Sequence, residues 1–282
     1  MSLSDETKAA LWSILAAGVL VDSAVAEGVV IGLGAEADTA EGRAYSLFAD
    51  VALADHTWLS GAVAHTQSSN DSFDLDTRFA DLSLDHYFNP LGIRFGAGYW
   101  GDQNILESKN AHASIYLRGG WGSIAANYEH REFDLTFRSD ALTEPRKIDF
   151  SSNGYGLSAR FNTSKRTSIH IAGMSYDYSR QIELRPETDR LRFLGVSRIS
   201  LMNSLIDYQI SGGFEVDFGQ RRVDFRYSRW KTAVIQSDVD SLSIGLLMPV
   251  GIAADMEFRL AMDDSVEFGK TTVFSVFLYL FS

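Results

Sequence analysis

The stretch Asp207-Tyr208-Gln209-Ile210-Ser211-Gly212-Gly213-Phe214-Glu215-Val216-Asp217-Phe218 alternates residue by residue. Its even positions carry Tyr208, Ile210, Gly212, Phe214, Val216 and Phe218, and its odd positions carry Asp207, Gln209, Ser211, Gly213, Glu215 and Asp217. One face is apolar and the other polar or acidic, with the period of two that belongs to a β-strand. After Gly219-Gln220 the pattern resumes, with Val223, Phe225 and Tyr227 set against Arg222, Asp224, Arg226 and Ser228. A simple hairpin register then faces Asp217 with Arg222, Glu215 with Asp224 and Gly213 with Arg226. The like-charged pair Glu215 and Asp224 should recruit Arg226 or Arg222 diagonally.

Working outward, the same alternation runs through almost the whole chain from Glu27 onward. A third clear case sets Ala254, Met256, Phe258, Leu260 and Met262 against Asp255, Glu257, Arg259 and Asp263. Strands are expected near 28–38, 43–54, 56–67, 76–88, 93–101, 109–118, 121–134, 148–161, 167–180, 205–218, 221–231, 238–248, 252–263 and 272–281. That makes about fourteen, most close to the ~9–11 residues with which a tilted strand crosses a bilayer. Misreading the first segment or the longest connection would make the number twelve or sixteen.

Alternation alone fits a soluble sandwich as well as a membrane barrel, because either gives strands one apolar face. The connections separate them. Every second one is tight: Ala54-Asp55, Asn89 to Gly92, Gly119-Gly120, Asn162 to Arg166, Gly219-Gln220 and Pro249 to Gly251. The others are mostly longer and more polar: Gln67 to Leu75, Asp102 to Ser108, Leu135 to Lys147, Gln181 to Ser204 and Asp264 to Lys270. Short turns on one side and long loops on the other are the arrangement of an outer-membrane barrel. Aromatics add a check, since Trp and Tyr favour the two membrane interfaces. Trp58, Phe88, Trp121, Phe161, Phe218 and Phe281 fall near strand ends on the short-turn side, and Tyr45, Tyr99, Trp100, Tyr178 and Trp230 near the long-loop side.

Composition excludes other classes. Of 282 residues 45% are hydrophobic and 22% charged, too apolar for a disordered chain. No run of 18 or more apolar residues offers a spanning helix. The absence of cysteine removes disulfides, zinc thiolates and thiol nucleophiles. A net charge of -12 argues against nucleic acid as a partner. At the N-terminus Lys8 precedes an apolar run from Ala9 to Val21, and Ala24-Val25-Ala26 supplies a small-residue cleavage pattern. Residues 1–26 therefore read as a signal peptide and 27–282 as one barrel domain, the other reading of the leader being a short amphipathic helix.

The last strand, Val273-Phe274-Ser275-Val276-Phe277-Leu278-Tyr279-Leu280-Phe281, ends in alternating aromatics before Ser282. Through Phe281, Tyr279, Phe277 and Val273 it resembles the C-terminal signature of Gram-negative outer-membrane β-barrel proteins. Length and strand number are similar to those of monomeric OmpG-type porins. The resemblance implies a closed antiparallel barrel in the cell outer membrane. It also implies recognition of Val273 to Phe281 by the outer-membrane assembly machinery, and contact with outer-membrane lipid and lipopolysaccharide.

Of the chemistry-bearing patterns, two resemble a nucleotide-binding glycine loop, Gly32-Leu33-Gly34 and Gly96-Ala97-Gly98. Neither leads into a helix that would present its N-terminus to a phosphate, so both read as strand glycines that relieve crowding. His56, His65, His86, His112, His130 and His170 are dispersed, with no metal-ligand spacing, and no cofactor is implied. Asp85-His86 and Glu129-His130 are the nearest acid-His pairs, but neighbours on a strand point to opposite faces. The informative charges are those of the polar face: Asp81, Asp85, Arg94, Arg118, Arg160, Asp207, Glu215, Asp217, Arg222, Asp224, Arg226, Asp255, Glu257 and Arg259. They make either a wet pore for small hydrophilic solutes or a salt-bridged filling of a barrel that only anchors its loops, with a lipid-modifying enzyme as a third reading. The loop from Gln181 to Ser204 carries Arg185, Arg190, Arg192 and Arg198, suited to lipopolysaccharide phosphates or to narrowing the mouth.

Overall fold

A computed structural model of the chain describes residues 28–70, 73–102, 106–137, 146–180, 205–233, 236–266 and 269–282. Among them are fourteen strands: β1 (Val29–Asp38), β2 (Arg43–Ala54), β3 (Thr57–Asn70), β4 (Phe73–Tyr87), β5 (Leu91–Asp102), β6 (Leu106–Gly119), β7 (Gly122–Phe137), β8 (Arg146–Asn162), β9 (Thr167–Tyr178), β10 (Ile206–Phe218), β11 (Arg221–Thr232), β12 (Asp238–Pro249), β13 (Ala254–Ser265) and β14 (Gly269–Phe281). Each pairs antiparallel with its neighbours in sequence, and β1 pairs with β14, so the sheet closes on itself. The expected leader and the arginine-bearing loop Gln181 to Ser204 lie outside the described residues.

The tight turns gather at one end. At Gly219 the backbone takes φ +68, a left-handed conformation that a glycine adopts without cost and that a two-residue hairpin requires. This turn sets the register read from the sequence: Asp217 opposite Arg222, Glu215 opposite Asp224, Gly213 opposite Arg226.

The outer face has two zones. Nearer the short turns it is an apolar belt, illustrated by Phe161, Ala159, Leu157 and Tyr155 on β8, Ile124, Ala126 and Tyr128 on β7, and Leu280, Leu278, Val276 and Phe274 on β14. Leu157 is 67% exposed and Leu242 60%, values that a water-facing surface would not gather in continuous rows. At ~3.3 Å per residue and a tilt of about 40°, some ten residues cross a belt of about 25 Å. Beyond it, toward the long-loop end, the outward row becomes ionic: His65 and Asp76 lie 3.4 Å apart, Arg229 and Asp238 2.9 Å, and Lys270 and Asp264 3.4 Å.

The strands overrun their expected ends on this side. β3 reaches Asn70, β4 begins at Phe73, β6 begins at Leu106, β7 reaches Phe137 and β8 begins at Arg146, so much of what reads as loop is barrel wall. The physical reason is a change of solvent. Past the belt the outside meets water, and the apolar residues move to the inside.

Pairing fixes the two faces of the final strand. Cross-strand pairing puts Tyr279 with Gly32 and Phe277 with Gly34, on the row that faces into the barrel, and the Tyr279 hydroxyl donates to Glu257 at 2.7 Å. Phe281, Tyr279, Phe277 and Val273 are thus inward, and Phe274, Val276, Leu278 and Leu280 form the row that meets lipid.

Replacing Leu157 with Arg should destabilise the folded barrel by about 2–4 kcal/mol, the cost of a cation near the middle of the lipid. Asp149→Arg, on the same outward row but in the ionic zone, should change stability by less than about 0.5 kcal/mol. Reversible urea unfolding in lipid vesicles checks both.

Candidate functional site: the barrel interior

Side chains two strands apart touch only on the concave face of a closed sheet, which identifies the interior rows. Tyr116 on β6 donates to Asp85 on β4 at 2.6 Å, Arg160 on β8 to Glu215 on β10 at 2.5 Å, and Arg131 on β7 to the Tyr176 hydroxyl on β9 at 2.8 Å. The register carries this face round the barrel. On it lie Asp81, Asp85, Arg94, Arg118, Arg160, Glu215, Asp217, Arg222, Asp224, Arg226, Asp255, Glu257 and Arg259, as the alternation implies.

Asp207 is the exception. The register shifts between Ile206 and Tyr208, so that Ile206 faces Thr232 and Tyr208 faces Lys231. Asp207 is the bulged residue, without a cross-strand partner in the ladder, and Ile206 takes the inner position, 2% exposed.

Nearer the short turns the interior is polar and open. A chamber of about 1270 Å³ is walled by Asp50, His56, Trp58, Asp85, Tyr87, Arg94, Tyr116, Arg118, Arg160 and Arg222 together with serines, asparagines and small residues. Two of its ion pairs are arranged in depth. Asp85 is held by Arg94 Nε at 2.9 Å and by Tyr116, with its own side chain 11% exposed against 54% for Arg94. Glu215, 14% exposed, lies behind Arg160 at 44%, and Arg222 bonds Asp217 at 2.8 Å while standing 3.8 Å from Glu215. The expected diagonal relief of the Glu215–Asp224 repulsion is thus supplied by Arg222, and closer cations from other strands add to it. Arg160 takes Glu215, and Arg259 on β13 grips Asp224 with two bonds of 2.9 Å. Arg226 makes no ion pair among the described residues: Arg160 bonds Glu215 and Arg259 holds Asp224 bidentately.

Small residues make room for these side chains. A Cβ on Gly92 would overlap the Tyr116 ring, one on Gly32 the Phe48 ring, and one on Gly245 the Asp224 carboxylate. Gly32-Leu33-Gly34 and Gly96-Ala97-Gly98 lie within β1 and β5, and their glycines let neighbouring side chains lie flat against the wall instead of crossing the lumen.

Toward the long-loop end the interior turns apolar. Trp100, Leu106, Phe133, Leu135, Phe150 and Leu205 pack together, with Phe79, Ile148 and Tyr178 against them, and Tyr176, Ile206, Trp230 and Val239 form a second cluster. Phe133 and Phe150 stack at 4.8 Å. Beneath them Glu129 and Arg131, 9% and 8% exposed, pair at 2.8 Å, and the Tyr176 hydroxyl donates to Glu129 at 2.7 Å. Three aromatics expected at the outer interface, Trp100, Tyr178 and Trp230, are therefore inside, as are Trp58 and Phe281 at the other end. Tyr45, Tyr99, Phe161 and Phe218 do face outward. The signal for the inner aromatics was present in the sequence, since Trp100 shares the parity of Arg94, and Trp230 that of Arg222 and Arg226.

The acid-His pairs separate as strand geometry demands. His86 bonds the Thr57 hydroxyl at 2.7 Å on the outer face while Asp85 points inward, and His130 bonds Asn153 at 2.9 Å while Glu129 points to Arg131. No group of three metal-ligating side chains gathers among the described residues.

Comparison with solved structures places this architecture. CymD, a monoaromatic hydrocarbon channel, superposes with a TM-score of 0.57 over 91% of this chain and 89% of its own, at 12% identity. A loop L8 deletion mutant of OmpT, an outer membrane protein of Vibrio cholerae, gives 0.50 over 90% and 98%, at 10% identity. The KdgM porin gives 0.45 over 89% and 98%, at 11% identity. No protein-family model and no curated protein matches the chain. The fold is that of the solved outer-membrane β-barrel proteins, a closed antiparallel barrel, here of fourteen strands.

Removing the Glu129 carboxylate (Glu129→Ala) takes the paired anion from a nearly buried guanidinium and should cost about 3–5 kcal/mol. A double change of Glu129→Gln and Arg131→Met should recover a large part of it. Unfolding midpoints in vesicles measure both.

Proposed function

We propose that the protein is a passive channel of the outer membrane through which small hydrophilic solutes and ions diffuse. The observation that carries this reading is the chamber of about 1270 Å³, whose wall is built from nine strands and whose arginines Arg94, Arg160 and Arg222 are fixed by neighbouring carboxylates. Fixed opposed charges polarise the water between them and orient a solute without holding it, which suits passage and not storage. The apolar zone around Phe133, Leu135 and Trp100 is the narrow part of the path and sets its resistance. The fold shared with outer-membrane channels supports the reading. Export through the leader at 1–26, and docking of the C-terminal strand on the assembly machinery, belong to the same proposal.

A second reading is favoured by one observation. Many inner positions of the long-loop half are almost closed to solvent: Ser152 0%, Ser241 1%, Thr66 2% and Val273 4%. That is what a filled barrel presenting surface loops would show. Planar-bilayer recording separates the two. The channel gives discrete conductance steps, and Phe133→Ala with Leu135→Ala raises them. A filled anchor gives none in the native protein or in the variant.

A further inference from the structure

We infer that the chamber at the short-turn end is an anion site, and that the solutes it favours are small molecules bearing carboxylate, sulfate or phosphate groups. This rests on the channel reading for its role in transport, but on the wall itself for its chemistry.

The wall contains four arginines, Arg94, Arg118, Arg160 and Arg222, against two acids, Asp50 and Asp85. Depth strengthens the imbalance. Asp85 lies under Arg94 and Tyr116, and Glu215 lies under Arg160, so carboxylates support the guanidinium groups from behind while the cations face the water. A guanidinium has five donors, and one bond to a wall carboxylate leaves most of its fork unused. Arg118 is exposed and its side chain makes no ion pair or hydrogen bond among the described residues.

Position completes the case. Arg118 pairs with Ser123, and Ser123 pairs with Arg160, so these three inner positions stand side by side on β6, β7 and β8. With strands about 4.8 Å apart, the two arginine backbones are roughly 10 Å from one another. That separation suits two guanidinium groups converging on one small anion above Ser123. Asp50 and Asp85 on β2 and β4, His56 in the β2–β3 turn, and Tyr87 and Tyr116 on β4 and β6 are the other titratable groups at this wall. Only Asp50 opposes an anion without a cation in front of it. A protein of net charge -12 thus places four arginines on the wall of this chamber.

Two measurements test this. In a potassium chloride gradient across a planar bilayer, the reversal potential should show preference for chloride. Arg118→Ser should reduce the chloride-to-potassium permeability ratio about tenfold, since one unit charge some 6 Å from an ion in a water-like medium changes the partition of each ion about threefold in opposite directions. Arg118→Lys should retain it. In detergent-folded protein, citrate should change the tryptophan fluorescence saturably, since Trp58 lines the chamber. Spermidine should not, and Arg118→Ser with Arg160→Ser should abolish the citrate response while leaving the heat-modifiable mobility of the folded barrel intact. Steps that are cation-selective or unmoved by Arg118→Ser overturn the proposal. Citrate binding without any conductance upholds the anion site and removes the channel reading instead. Absence of both overturns both.

Discussion

In a hydrocarbon solvent no backbone amide or carbonyl can be left unpaired, and the pairing of β1 with β14 satisfies that condition. An open sheet of thirteen ladders would expose two edges, each a row of unsatisfied groups costing several kcal/mol apiece in lipid. Closure puts one face of every strand against lipid and the other against a shared interior, so the alternation seen at Asp207 to Phe218 must recur on all fourteen strands.

The chain then lives in two solvents along the length of each strand. On β7 the apolar side chains are Ile124, Ala126 and Tyr128 on the outside, then Phe133 and Leu135 on the inside. On β8 they are Phe161, Leu157 and Tyr155 outside, then Phe150 and Ile148 inside. The hydrophobic phase flips by one residue where lipid gives way to water. Below the flip the barrel is a membrane protein with a polar interior. Above it the wall behaves as a soluble barrel with an apolar core, since hydrophobic groups leave water whichever side water is on. The open chamber and the closed apolar zone are consequences of this one inversion.

Much of the interior was legible because side-chain parity in a strand is strict. Thirteen of the charged positions fall on the inner face, and the hairpin register at Gly219-Gln220 is as a two-residue turn dictates. Two things escaped that rule. A bulge at Asp207 breaks parity locally, and nothing in the sequence marks it. The aromatics Trp100, Tyr178 and Trp230 read as interface residues from their nearness to strand ends, although parity sets Trp100 with Arg94 and Trp230 with Arg222. The wall beyond the belt read as loop because its outward face is charged, although the period of two continues through it.

The sequence by itself determined the antiparallel order, the sidedness of the turns and the face on which most charges sit, and brought the strand number to about fourteen. All of these follow from local periodicity and from turn residues whose backbone preferences need no distant partner. Only the tertiary structure decided which charges pair. Arg259 reaches Asp224 across a strand, and Arg160 reaches Glu215 across another, because curvature brings inner side chains together that the linear register keeps apart. The same curvature gathers Phe133, Phe150 and Trp100 into one cluster and leaves an open chamber beside Arg118, since the space enclosed by a barrel is a property of the closed sheet and of no single strand.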